Sequence, residues 1–194
     1  MSPSKIAFKL YQGSTFSEIL RWESSKKVYK TITGISNAAP CIITSTGHGI
    51  PNGWRVKVTN VLGMTEINNS EDYYLGTYVD ANTVELNAVN SVGYKTYTSG
   101  GVLEYNQPVD LTGYTARMQI RLKVDDTEII HELTTENGGI TINTSTYTLT
   151  LTIPAATTTL FTFTTAVYSL ELVSGSVVTP FVNGTITMYK EVTR

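Results

Sequence analysis

Two histidines are the only imidazoles that this chain could use as bases or metal ligands. His48 lies between two glycines, in a composition typical of a tight turn, so we expect its ring to pack or hydrogen-bond locally. His131 follows Ile129 and Ile130 in an apolar run typical of a strand face. A zinc site needs several convergent ligands, and two distant histidines with a single cysteine give no ligand spacing. The sequence therefore predicts no metal site.

Acidic residues occur in two groups that invite a calcium or an acid–base interpretation. The groups are Asp125, Asp126 and Glu128, and Glu66, Glu71 and Asp72. The first group lacks the alternating oxygen ligands and central glycine of a calcium loop, so a turn capped by aspartate is favoured. In the second group nothing fixes two carboxylates at the separation that glycoside hydrolysis requires. No Gly-x-Ser-x-Gly or phosphate-loop motif occurs, so we expect no enzymatic activity and no cofactor.

Aromatic and basic side chains are better candidates, for binding rather than catalysis. The candidate interface residues are Tyr73, Tyr74, Tyr94, Tyr97, Arg117 and Arg121. Tyrosine is enriched at interfaces and stacks on sugars, so the four tyrosines have three open interpretations: core packing, a subunit interface or glycan contact. The two arginines lie on the polar face of a predicted strand. That face is either solvated or a charged docking surface for a neighbouring subunit.

Composition limits the classes of partner. The formal net charge is -2, which argues against nonspecific binding to a phosphate backbone. No apolar run approaches the roughly 20 residues that span a bilayer. The single cysteine, Cys41, cannot form an internal disulfide, so we expect folding in a reducing cytoplasm. We therefore expect neither nucleic acid nor membrane as a partner.

Period-2 alternation of apolar and polar residues predicts strands through most of the chain. In Thr115–Lys123 the apolar side chains Ala116, Met118, Ile120 and Leu122 all point one way. The 32 threonines and 12 tyrosines favour strands as well. Only the segment from Pro154 to Ala166 favours a short helical turn. The sequence therefore predicts an all-β fold, an antiparallel β-sandwich with little helix.

The middle of the chain differs in the length and spacing of its predicted strands, which predicts a second domain inserted into the first. Its strands are short and separated by closely spaced Gly and Asn turns, as in a small β-barrel. They are predicted at Cys41–Thr44, Trp54–Thr59, Tyr73–Val79 and Thr83–Leu86. The flanks 28–30 and 103–105 could pair as the two-stranded neck of the insertion. We expect a discontinuous β-sandwich over 1–30 plus 105–194, and an inserted small barrel over 31–104.

The middle block resembles a known module. The matching residues include Ile32-Thr33-Gly34-Ile35, Gly47-His48-Gly49, Asn52-Gly53, Val56-Lys57-Val58, Gly63-Met64-Thr65, Asp80-Ala81-Asn82-Thr83 and Tyr97-Thr98-Ser99-Gly100-Gly101. Over about 70 residues they are similar to the small barrel named after the first catalytic-cysteine half-domain of ubiquitin-activating enzymes, a module that recurs in tailed-phage virion proteins. The resemblance implies no ubiquitin chemistry, and Cys41 lies in an apolar strand-like run.

The flanks resemble a second family. The matching residues are Asp110-Leu111-Thr112-Gly113-Tyr114-Thr115-Ala116-Arg117-Met118-Gln119-Ile120-Arg121, Ile153-Pro154-Ala155-Ala156-Thr157, Tyr168-Ser169-Leu170-Glu171-Leu172 and Gly184-Thr185-Ile186-Thr187. They look like the N-terminal sandwich of phage baseplate upper proteins. In that family a strand such as Phe16–Trp22 leads almost directly into the Asp-Leu-Thr-Gly segment. Here 87 residues lie between Trp22 and Asp110, and an insertion of about 75 residues explains most of them.

These resemblances imply a non-enzymatic structural protein of a tailed-bacteriophage virion, assembled in the host bacterial cytoplasm. The expected role is a ring or adaptor subunit of the tail, neck or baseplate. Its expected partners are other virion proteins, fibres and further copies of itself in a symmetric homo-oligomer. Two alternatives stay open: a capsid decoration protein, and a carbohydrate-binding module for host adsorption.

Overall fold

A computed structural model describes residues 3–192, apart from the side chains of Ser70 and Glu71. The described strands are β1 Ser4–Lys5, β2 Phe8–Tyr11, β3 Phe16–Arg21, β4 Glu23–Thr31, β5 Gly34–Ile35, β6 Cys41–Thr44, β7 Trp54–Leu62, β8 Asn69–Asp80, β9 Thr83–Leu86, β10 Ser99–Pro108, β11 Thr115–Arg121, β12 His131–Thr134, β13 Ile140–Asn143, β14 Thr148–Ile153, β15 Thr165–Ser174 and β16 Val177–Tyr189. The helical elements are α1, Ala155–Thr158, and a 3₁₀ turn, Thr65–Ile67. The predicted all-β class with little helix is confirmed.

The strands belong to two compact units. One unit comprises Met1–Arg21 with Asp110–Arg194, and the other comprises Trp22–Val109. These bounds differ from the expected 30/31 and 104/105 because the flanking strands β4 and β10 belong to the middle unit. They pair as the sequence predicts, with Tyr29 opposite Glu104, but β10 also pairs with β7. The two strands are therefore part of a larger sheet and not a separate neck.

The discontinuous unit contains two sheets. The larger has the order β1-β16-β15-β11-β12, with β2 also paired to β16, and the smaller has the order β13-β14-β3. Phe8 of β2 contacts Phe16 of β3 with ring centroids 5.4 Å apart, which brings the buried faces of the two sheets together. The pairs are antiparallel except that β1 and β2 run parallel to β16. The predicted sandwich is confirmed, with these two parallel strands added.

Strand β11 follows the predicted alternation of buried and more exposed side chains over its whole length, Thr115–Arg121. Ala116, Met118 and Ile120 are buried, as expected for the core face of a strand with one wet side. Leu122, predicted to continue this row, is instead 53% exposed. The strand ends at Arg121, so the alternation no longer governs where Leu122 points. The prediction was wrong at this one position, and it places an apolar side chain on the surface.

The first strands pass very close to β16 at a glycine. Ile6, between β1 and β2, donates its N–H to the carbonyl of Asn183 at 3.0 Å. A Cβ at Gly184 would overlap the carbonyl oxygen of Ile6, so only glycine leaves room for this crossing. The same carbonyl accepts the hydroxyl of buried Tyr168 at 2.8 Å. This arrangement fixes β1, and with it Lys5, at the edge of the larger sheet.

The middle unit is one seven-stranded sheet of order β4-β10-β7-β8-β9-β6-β5. Its core includes Trp54, whose side chain is fully buried and donates Nε1–H to the carbonyl of Asn106 at 2.8 Å. The terminal strands β4 and β5 do not pair with each other in the described chain. Between them, the N–H groups of Ile32 and Thr33 bond instead to Gly101 and Thr44. The expected small barrel is therefore corrected to an open sheet.

Candidate docking surfaces

Of the four candidate tyrosines, Tyr73 has the largest number of charged side chains around it. Its ring lies near three cations from β4 and β7: the centroid is 5.6 Å from Lys27 Nζ, 5.2 Å from Arg55 Cζ and 4.8 Å from Lys57 Nζ. Lys27 also donates to the tyrosine hydroxyl at 3.3 Å. Each such contact contributes about 0.5–1 kcal/mol at an exposed site, so the group stabilises a surface arrangement modestly.

Two carboxylates complete this group. Glu104 pairs with Lys27 at 3.0 Å, and Glu23 accepts two hydrogen bonds from Arg55 at 3.1 and 2.8 Å. The hydrogen bond that Lys27 donates to Glu104 raises the pKa of Lys27, and the bonds that Arg55 donates to Glu23 raise the pKa of Arg55. Both cations therefore stay charged, and much of their charge is compensated within the sheet.

The other candidate tyrosines mostly hold local structure. Tyr74, next to Tyr73 on β8, points to the opposite face and donates to the carbonyl of Ile67 at 3.1 Å. Burial raises the pKa of Tyr74. The hydroxyl of Tyr97 lies 3.1 and 2.9 Å from the carbonyl oxygens of Ile32 and Gly100. Tyr94 is half-buried. The structure thus separates Tyr73 from Tyr74 instead of bringing all four onto one surface.

Arg117 and Arg121 lie on the solvent face of the larger sheet of the discontinuous unit. They line a depression of about 770 Å³ that reaches from β11 across β15 and β16 to β1. Gln119, Ser169, Asn183 and Lys5 form a single row across these four strands, since they are paired in register. We call this surface the cationic platform and define it by Lys5, Arg117, Gln119, Arg121 and Glu171.

The two arginines of the cationic platform differ in their partners. Arg117 forms an ion pair with Glu171, its cross-strand neighbour, at 2.8 Å. Arg121 instead donates to neutral oxygens, the side-chain carbonyl of Gln119 at 2.8 Å and the backbone carbonyl of Asp126. Neutral acceptors hold the guanidinium in place without cancelling its charge. The positive charge of Arg121 is therefore both positioned and uncompensated by these bonds.

A second surface of the same unit combines exposed apolar side chains with polar ones, among them Asp126, Thr127 and Glu128. It is a depression of about 780 Å³ lined in part by Leu122, Ile129, Leu160, Phe161 and Phe163, which we call the apolar groove. The side chains of Leu160 and Leu122 are 76% and 53% exposed. Phe161 and Phe163 are buried at its floor, with ring centroids 5.3 Å apart. Exposed apolar side chains around a concave floor are typical of an interaction site.

The groove depends on how α1 ends. Pro154 precedes the helix, and the chain leaves it after Thr158, whose buried hydroxyl donates to the carbonyl of Ser14 at 2.8 Å. The chain then runs through Leu160 to Phe163 without regular structure. The predicted short helical turn after Pro154 is confirmed. It directs the apolar run that follows it to the surface.

His131 lines the apolar groove at the start of β12, on a strand face as the sequence predicts. Its ring centroid is 5.7 Å from that of Phe161. Burial lowers the pKa of this imidazole from 6.5, because the charged form is poorly solvated there.

This pKa predicts a loss of stability in acid. The unfolded chain binds a proton near pH 6.5 and the folded chain only below it, so the free energy of unfolding falls as pH decreases through that range. The loss is complete below the lowered folded pKa. We expect urea unfolding, followed by circular dichroism at about pH 7.5 and about pH 5.5, to show a smaller decrease for His131→Gln than for the natural chain. Equal decreases in both proteins would count against a role for this imidazole.

His48 is a structural residue, as the sequence predicts. Its side chain is fully buried, and Nδ1 accepts the N–H of Ile50 at 2.9 Å. The proton must then lie on Nε2, which donates to the carbonyls of Asp80 at 2.8 Å and Thr83 at 3.2 Å. The acidic pair in Asp125-Asp126 forms a turn in which Asp126 accepts the N–H of Lys123 at 3.0 Å. The favoured interpretations of both motifs are confirmed.

Several residues of these surfaces carried no sequence signal. Lys5 reaches the platform only because β1 pairs with β16, near the other end of the chain. Leu122 was assigned to the core, and the apolar character of Leu160 and Phe161 was the only signal for the groove. Within residues 3–192, leaving out Glu71, no three His, Cys, Asp or Glu side chains converge as metal ligands would. No helix of that range is long and apolar enough to cross a bilayer.

Comparisons with known proteins add no functional information. No protein-family model and no curated protein sequence matches this chain. A solved structure described as "The Enterococcus faecalis MSCRAMM ACE binds its ligands by the collagen Hug Model" aligns over 94% of this chain and 92% of that chain. The two are 10% identical, with a TM-score of 0.14. A score this low carries no argument about fold or function.

Proposed function

We propose that this chain is a non-enzymatic structural subunit of a tailed-bacteriophage virion. In this proposal it forms part of a ring or adaptor of the tail, neck or baseplate and docks neighbouring subunits or fibres. The two sequence resemblances support the virion assignment. The apolar groove supports the docking role, and it is the observation that carries the proposal.

The physical argument starts from the cost of exposing apolar surface. Fully burying a leucine side chain is worth about 1.5–3 kcal/mol relative to leaving it in water. Leu160 and Leu122 are both more than half exposed beside a phenylalanine floor that is already desolvated. A partner that covers this groove gains that free energy, whereas the isolated chain does not. Contacts repeated around a symmetric ring multiply a modest gain at each interface.

The proposal predicts that an acidic group in the groove blocks assembly without unfolding the chain. We expect Leu160→Asp to change the free energy of unfolding by less than about 0.5 kcal/mol, since the side chain is on the surface. Incorporation into particles should fall roughly tenfold, which corresponds to about 1.4 kcal/mol of lost binding. The measurement is the amount of this chain in purified particles, after variants are supplied to particles that lack it.

Val177→Asp is the matched control. Val177 is 62% exposed in the same unit but is not among the residues that line the groove, so its replacement should leave incorporation unchanged. The docking role is contradicted if the Leu160→Asp variant is incorporated to the same extent as the Val177→Asp variant. The virion assignment is contradicted if the natural chain does not enter the particles at all.

A further inference from the structure

The cationic platform concentrates positive charge in a chain that is negative as a whole. It holds three cations, Lys5, Arg117 and Arg121, against the carboxylate of Glu171, with Glu132 at its edge accepting a hydrogen bond from Gln119 at 2.6 Å, in a protein of net charge -2. Among the described residues only Arg117 has an ion-pair partner within the platform. Arg121 is held by neutral oxygens, and Lys5 is exposed at the sheet edge. Two uncompensated cations on a rigid sheet favour an anionic partner.

The spacing of the cations fits an extended chain. Arg117 and Arg121 are four residues apart on one strand, so their Cα atoms are roughly 13 Å apart at 3.3 Å per residue. Lys5 is three strands away from β11, which is about 14 Å at the usual strand spacing. Arg121 and Lys5, the two platform cations without an ion pair among the described residues, are roughly 16 Å apart, since they are separated by two residues along the strands and by three strands across the sheet. Glutamates four residues apart in an extended peptide lie on one face with Cα atoms roughly 13 Å apart, and the flexible lysine side chain covers the difference.

The lining between the cations fits a polypeptide better than a nucleic acid. Val167 lies opposite Arg121 in the sheet and offers an apolar contact. Ser169, Asn183 and Thr185 offer neutral hydrogen-bonding groups between the charges. Glu171 places a carboxylate beside Arg117, which a uniformly charged phosphate backbone meets with repulsion. A peptide combines isolated carboxylates with apolar side chains and so avoids this conflict.

We propose that the cationic platform binds an extended acidic segment of a neighbouring protein chain, with carboxylates against Arg121 and Lys5. That the segment belongs to a neighbouring subunit rests on the proposed virion role. The charge, spacing and lining of the surface stand without it. A segment of this kind docks by side-chain contacts, since β15 and β16 have their backbone groups paired within the sheet.

The test uses a short fluorescein-labelled peptide that alternates valine and threonine with glutamates four residues apart. Its binding is followed by fluorescence anisotropy at about 50 and about 200 mM salt. We expect saturable binding that weakens at the higher salt. Arg121→Gln and Lys5→Gln should each weaken it roughly three- to tenfold. Lys26→Gln is the matched control, since it removes one charge from an exposed residue of the other unit and should change binding less than about twofold.

Glu171→Gln provides a test in the opposite direction. It removes the platform's carboxylate and releases Arg117 from its ion pair, so peptide binding should tighten roughly two- to fivefold. A gain of this kind cannot come from a variant that merely fails to fold. The circular dichroism spectrum of every variant should match that of the natural chain.

Three outcomes overturn the proposal. These are no saturable peptide binding, equal weakening by Lys26→Gln and Arg121→Gln, or tighter binding of a single-stranded DNA oligonucleotide of equal charge. None of them depends on particle assembly. Peptide binding by a chain that does not enter particles would support the platform and contradict the virion role. Entry into particles by a chain that does not bind the peptide would support the virion role and contradict the platform.

Discussion

Replacing His48 by alanine lowers the free energy of unfolding of the Trp22–Val109 unit by about 3–5 kcal/mol. The imidazole is fully buried and joins three backbone groups, those of Ile50, Asp80 and Thr83. Its removal leaves the buried N–H of Ile50 without a partner, at about 1–3 kcal/mol, takes a donor from the partly buried carbonyls of Asp80 and Thr83, and adds the cost of a cavity. Tryptophan fluorescence in urea measures the effect, because both tryptophans, Trp22 and Trp54, belong to this unit.

Tyr78→Ala is the control for this effect. Its ring centroid lies 5.8 Å from that of His48, but the side chain is 47% exposed. Removing it deletes the ring contact and keeps the hydrogen bonds, so we expect a loss of about 1 kcal/mol or less. Similar losses for His48→Ala and Tyr78→Ala would show that the hydrogen bonds of the imidazole are not what stabilises this region.

Gly184→Ala destabilises the discontinuous unit by about 3 kcal/mol, because overpacking against a backbone atom cannot be relieved by a side-chain rotation. The new methyl group would overlap the carbonyl oxygen of Ile6. The chain can avoid this overlap only if β1 and Ile6 move away from β16, with loss of the bond from Ile6 N–H to Asn183. Urea unfolding followed by circular dichroism gives the magnitude. Hydrogen exchange locates the disruption: the protection of the Ile6 amide should fall.

Gly93→Ala is the control for a glycine without close neighbours. Nothing lies within 4 Å of a Cβ built there, so this change should cost less than about 0.5 kcal/mol. Gly184→Ala should also weaken acidic-peptide binding, since Lys5 moves with β1. Unchanged protection of Ile6 in Gly184→Ala would contradict the described crossing.

Local alternation made much of the strand structure predictable. Cys41–Thr44 and Thr83–Leu86 were predicted at the bounds that the structure has for β6 and β9. In both, every second side chain is buried, so the pattern carries the information within a few residues. The helix after Pro154 was predictable for a similar reason, since proline at this position favours a helix start.

Long-range pairing explains what the sequence did not reveal. The two-residue strand β5 is too short to show a pattern, and the open path of the middle sheet depends on which distant groups Ile32 and Thr33 bond. Lys5 joins the cationic platform through parallel pairing with Asn183, and no local spacing records that contact. Leu122 was misassigned because alternation says where a residue points but not where its strand ends.

The candidate interface was predictable in part. Arg117 and Arg121 were singled out by their place on the polar side of an alternating strand, and the structure places both in the cationic platform. Tyr73 and Tyr74 were grouped by sequence proximity, yet adjacent residues of a strand point to opposite faces. Their different partners, a set of cations for one and the Ile67 carbonyl for the other, follow from that geometry.

Electron microscopy of intact virions, with this chain placed in the symmetric density, tests the central claim most directly. The proposal predicts a ring at the tail, neck or baseplate in which a neighbouring chain covers the apolar groove and buries Leu160. Absence of the chain from the particle would contradict the virion role. A position on the head surface would contradict the tail, neck or baseplate assignment and favour a decoration protein. A ring that leaves the groove open to solvent would contradict the docking surface.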